Sequence, residues 1–135
     1  VEDILKWWRA NDGKLIGSER IQEAFDLIAV PTGECSTISP HKVGKRSLAS
    51  ETMNGPSVEN LTSVVRSLSQ GEQVRLANAY RKASISKLPT LSDPLKIELN
   101  IPELGVQQVV DYIRLLLPVE TPNGTPFVLN YCFRF

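Results

Sequence analysis

The sequence predicts an α+β domain of about five helices with a small sheet of two to four strands. Three observations point there. Apolar residues recur at helical spacing through the first 87 residues, with serines placed to cap the helices. Leu95, Ile97, Leu99 and Ile101 alternate with Lys96, Glu98 and Asn100, the period of a half-buried strand. Phe127, Leu129, Tyr131, Phe133 and Phe135 then occupy every second position of a closing run. At 135 residues, 41% hydrophobic and 22% charged, the chain has the size and balance of one globular domain. The expected organisation is a helical front over 1–87, interrupted by a long mobile loop at about 32–56, and a strand-helix-strand tail over 95–135.

Ile4, Leu5 and Trp8 share one face of a first helix, which the turn signal Asn11-Asp12-Gly13 ends. Trp7 is thereby left pointing outward between Lys6 and Arg9. Ser18 caps a second helix carrying Ile21, Ala24, Phe25 and Ile28, and Pro31-Thr32-Gly33 stops it. From Thr32 to Pro56 no period is sustained, which reads as loop. Ser57 opens a third helix lined by Val58, Leu61, Val64, Val65 and Leu68. Ser69-Gln70-Gly71-Glu72 is a capping box for a fourth, which buries Leu76, Ala79, Tyr80 and Ala83. Leu88–Pro94 connects to the first strand. Val106, Val109, Val110, Ile113 and Leu117 mark a fifth helix closed by Pro118. The turn signal Pro122-Asn123-Gly124-Thr125 also permits a hairpin between the residues before it and the last strand.

The chemistry-bearing residues are few. His41 is the single histidine, six residues from Cys35 in the same loop, whereas a nucleophile and its base usually come from separate rigid elements. Cys35, His41 and Cys132 fall short of a four-ligand structural zinc site. No Gly-rich phosphate loop or nucleophile elbow is present, so neither a catalytic residue, a metal nor a cofactor is expected. The two cysteines are read as free thiols and no signal peptide is visible, which favours an intracellular protein. No apolar run approaches the length of about 20 residues needed to span a bilayer.

Fifteen basic and fifteen acidic residues cancel, but unevenly along the chain. Residues 1–41 carry a net −3, residues 42–96 a net +5 and residues 97–135 a net −2. The basic middle points to a non-catalytic binding module for RNA or another anionic partner. Lys42, Lys45 and Arg46 would supply mobile contacts from the loop, and Arg75, Arg81 and Lys82 fixed contacts from the fourth helix. The short joint between helices three and four is compatible with a helix-turn-helix in which Gln73, Arg75, Asn78 and Arg81 enter a groove, and equally with two antiparallel core helices. The alternative function is self-association or docking of a protein partner through Trp7 and the C-terminal strand ending in Phe135.

Overall fold

The computed structural model describes residues 1–33, 37–102 and 105–135, apart from the side chains of Ile101 and Val106. Its helices are α1 (Glu2–Ala10), α2 (Glu19–Gln22), α3 (Leu48–Thr52), α4 (Val58–Ser67) and α5 (Gln70–Ser86). Its strands are β1 (Asp26–Ala29), β2 (Pro40–Lys42), β3 (Thr90–Leu91), β4 (Leu95–Ile101), β5 (Val106–Glu120) and β6 (Pro126–Arg134). The mixed α+β class holds, but the sheet has six strands rather than two to four.

All pairings between these strands are antiparallel, in the order β2-β1-β6-β5-β3, with β4 also on β5. β3 lies against Leu115 and Leu116, while β4 lies against Val106–Tyr112. β6 pairs with β5 from Glu120 back to Tyr112. Beyond Tyr112 the β4–β5 hairpin runs on as a two-stranded arm. The hairpin reading of the Pro122-Asn123-Gly124 turn is therefore the one adopted, closed by Thr121 N–H on the Thr125 carbonyl at 2.9 Å.

The expected fifth helix is instead the fifteen-residue β5. A strand buried on both faces loses its alternation, and its apolar residues then satisfy helical spacing as well. Leu115, Leu117 and Val119 face one side with α1, while Val110 and Leu116 face the other with α3–α5. Pro118 is tolerated because its carbonyl accepts the Trp8 indole N–H at 2.8 Å, so its nitrogen also points away from β6, past the end of β3. The second predicted helix fails for the same reason. It stops at Gln22, and Leu27-Ile28-Ala29 becomes the inner strand β1, with Leu27 on one face and Ile28 on the other. The supposed loop of 32–56 contains β2 and α3, the latter capped by the Ser47 hydroxyl on Ser50 N–H at 3.3 Å.

Three layers result. On one face of the sheet Ile4 and Trp7 of α1 pack on Phe25, Leu27, Leu115, Leu117, Phe127 and Leu129. On the other, Val65, Ala77, Tyr80 and Ala83 of α4 and α5 pack on Ile28, Leu116 and Val128. A third cluster, Met53, Val64, Leu99 and Val110, joins α3 and α4 to the base of the arm. Trp7 is 6% exposed, its ring 5.6 Å from Phe25 and its N–H on the Ile16 carbonyl at 3.0 Å. The expected roles of the two tryptophans are thus exchanged. Trp7 is core and Trp8 lies half-buried on the sheet edge, because the chain after α1 folds back along β5 and covers the Trp7 side.

Candidate functional site

Between the sheet and helices α3–α5 lies a half-open cavity of about 460 Å³. Its size falls in the usual range of ligand pockets, roughly 300–1,000 Å³. Apolar side chains from α3, α4, β4 and β5 form most of the wall. Glu72, Arg75 and Lys96, all exposed, stand at the rim.

The polar part of the wall is built by β1, β5 and β6. Asp26 is 2% exposed, and its carboxylate accepts the Gly44 N–H at 3.1 Å and the Asn130 amide at 3.4 Å. Asn130 in turn accepts the Tyr80 hydroxyl at 2.8 Å and lies 3.6 Å from the Cys132 sulfur. This chain joins α5 to two strands and satisfies its own members, as buried polar groups require. Burial pushes Asp26 above the usual carboxylate range, against hydrogen bonds from Ser47, Gly44 and Asn130 that lower it. Burial likewise pushes up the Tyr80 and Tyr112 phenols, and lifts the Cys132 thiol to about 12 despite the nearby Arg114. Tyrosines and thiol are thus uncharged at neutral pH. The thiol is a poor nucleophile, since thiolate is the reactive form.

Arg114 differs from its neighbours. It follows Tyr112 by two residues on the same face of β5, and its guanidinium stands 5.9 Å from the centre of the Tyr80 ring. Its Nε is buried and has no hydrogen-bond partner, while the side chain interacts with the phenol of Tyr112. Among the described residues no carboxylate forms an ion pair with it; the four ion pairs found are Lys14–Glu120, Arg46–Glu23, Lys96–Asp111 and Arg134–Glu51. A permanent cation therefore borders a largely apolar cavity beside the Tyr80 and Tyr112 rings, with the Asp26 carboxyl and, at the rim, Glu72 lining the same cavity but not paired with it. Such an arrangement attracts an anion far more strongly than an exposed arginine does, because water screens it less.

The residues expected to bind anions are not gathered into one patch. Lys42, at the end of β2, and Lys45 are exposed. Arg46 is held at the entry to β1, bonded to the Arg20 carbonyl and 3.5 Å from Glu23. Arg81 donates to Asn78 at 2.8 Å and to the Gly33 carbonyl at 3.3 Å, beyond the far end of β1. Lys82 is exposed on the outer side of α5, and only Arg75 borders the cavity. The groove-reading version of α4–α5 loses its side chains in the same way. Gln73 donates to the Leu68 carbonyl at 2.9 Å and so ties off the end of α4, while Asn78 holds Arg81. His41 lies tilted against Phe127, ring centres 4.4 Å apart, on the α1 face, across the sheet from the Cys132 thiol. Cys35, and with it any pairing to His41 or Cys132, lies outside the described residues.

Of the two expected interface residues, Trp7 is buried, whereas Phe135 is 66% exposed. Phe135 continues an apolar strip on the α1 face beyond the cover of α1, with Tyr131 stacked on Phe133 at 5.5 Å and Val109 exposed. Arg114 itself could be found in the sequence only as a charge interrupting the apolar run from Tyr112 to Val119. Compared with known protein families, characterised proteins and solved structures, the chain matches none, so its own residues carry the functional reading.

Proposed function

We propose that this protein is a non-catalytic binding module that holds a small anionic ligand in the cavity between the sheet and α3–α5, with Arg114 as the partner of the anion. The observation that carries this reading is the buried Nε of Arg114, which has no hydrogen-bond partner in a largely apolar cavity. A guanidinium offers two parallel N–H groups to a carboxylate or similar group, and Arg75 at the rim adds a second positive charge on the way in. Tyr80, Tyr112 and Cys132 are uncharged and add no negative charge to the wall, whose acids are Asp26 and, at the rim, Glu72.

The test is a calorimetric titration with anilinonaphthalene sulfonate, an anion with an apolar body. One site per chain is expected, lost in Arg114→Met and only weakened in Arg75→Ala. Saturable RNA binding that falls by about 0.7 log units per log unit of salt for each phosphate contact, and that is lost in a Lys42/Lys45/Arg46→Ala variant, would move the anion site to the surface. A second reading, self-association, draws on the exposed strip of Val109 and Phe135. It requires the sedimentation coefficient to rise with concentration, and Phe135→Ser to abolish the rise.

A further inference from the structure

Resting on the cavity reading, we infer that the ligand is a single-chain amphiphile, a long-chain carboxylate whose head meets Arg114 and whose chain lies against the third core cluster. The lining divides along its length. Arg114, Tyr112, Asn130 and the Asp26 carboxyl behind Asn130 form one end, and Met53, Val64, Leu99 and Val110 form the other. All four buried members of that cluster border the cavity, whereas no residue of the α1-side core does. The cluster is thus arranged around a space rather than packed through it.

The apolar end has nothing with which to read a polar ligand. Its one polar side chain, Thr52, already bonds the Leu48 carbonyl at 2.8 Å, and the Thr52 carbonyl takes the Gln108 amide at 3.1 Å. A sugar or nucleotide base would lose its hydrogen bonds there. Water too needs two to four polar partners, so the region favours hydrocarbon. Met53 adapts readily to a flexible chain. At the other end the single guanidinium of the half-buried Arg114 matches one monoanionic head. Taking the roughly 30 Å³ that a water-sized group occupies in a liquid, the 460 Å³ of this half-open cavity holds at most about fifteen non-hydrogen atoms, a carboxylate with a chain of up to about twelve carbons.

The experiment is calorimetry on the full chain with octanoate, decanoate, dodecanoate and hexadecanoate below their micelle concentrations, with dodecanol and naphthalene sulfonate beside them. Affinity should rise about fourfold for each methylene up to dodecanoate, from the roughly 0.8 kcal/mol that each buried methylene contributes, and then level off. Dodecanoate should bind at least tenfold more tightly than dodecanol, and Arg114→Met should erase that difference. Leu99→Phe should move the plateau to a shorter chain; if it does not fold, the plateau in the parent protein carries the same information. Naphthalene sulfonate binding through Arg114 with no gain from chain length would overturn the amphiphile and leave the small-anion reading intact. Equal binding of dodecanol and dodecanoate would overturn the head assignment. No binding by any probe would overturn both.

Discussion

Replacing Arg114 by methionine should make the protein more stable while removing its anion site, and the sign of that change separates a ligand-directed arginine from a structural one. The variant removes a buried Nε that has no partner, a liability of about 1–3 kcal/mol. It also removes the contact with the Tyr80 ring, which at 5.9 Å is near the limit of a cation–π interaction and contributes about 0.5 kcal/mol. Methionine follows the same path as the arginine stem and keeps its packing against the wall. The net gain should be roughly 0.5–2 kcal/mol, or about 2–6 °C in Tm for a domain of this size. Thermal melts followed by far-UV circular dichroism without ligand, compared with the calorimetric titration, measure both quantities. An arginine held by a buried carboxylate would instead cost about 3–5 kcal/mol on removal. A loss of that size would refute the reasoning.

Other perturbations test the rest of the architecture. Trp7→Ala should cost about 3–5 kcal/mol in urea unfolding and the half-buried Trp8→Ala about half as much; the reverse order would put Trp8 in the core. Because burial raises the Asp26 pKa in the folded state, the protonated form is favoured by folding. Stability should therefore be greatest below the ordinary carboxylate pKa and fall as pH rises through the raised value. Asp26→Asn should lose this fall, and parallel pH profiles of parent and variant would contradict it. A Cβ on Gly44 would sit well inside 3.0 Å of the Glu23 and Phe25 backbone carbonyls, so Gly44→Ala should destabilise by about 2–3 kcal/mol, measured by the same urea unfolding. An unchanged midpoint would show that the turn can move aside.

The parts of the fold that were legible in the sequence are those fixed by local chemistry. Ser57 caps α4 through Asn60 N–H at 3.1 Å, and Ser69 caps α5 through Glu72 N–H at 3.2 Å. β4 and β6 each mix polar with apolar residues and so kept their alternation. β1 and β5 turn apolar residues to both faces of the sheet, and there the two periods cannot be told apart. Reading β5 as a helix also concealed the site. On a helix Arg114 is one solvated charge among others, whereas on a strand buried on both faces it has to point into the interior. The surface cations were visible as charges, but their pairing with Glu23 and with the Arg20 and Gly33 carbonyls depends on tertiary contacts that spacing does not encode.

The pairing of β1 with β6 brings Asp26 to Asn130 across 104 residues of chain. β1 has no neighbour on that side until nearly the last residues of the described chain exist. At a synthesis rate of about 5–20 residues per second, Leu27 and Ile28 wait on the order of 5–20 s beside the ribosome before the strand that shelters them emerges. The α1 stripe of Ile4 and Trp7 waits as well, since it docks on Leu115, Leu117 and Leu129. The nascent chain therefore carries Leu27 and Ile28 without their β6 neighbours until about a hundred further residues have been added, and a ribosome-held chain stopped before Pro126 should recruit chaperones and remain protease-sensitive even though α4 and α5 are already complete.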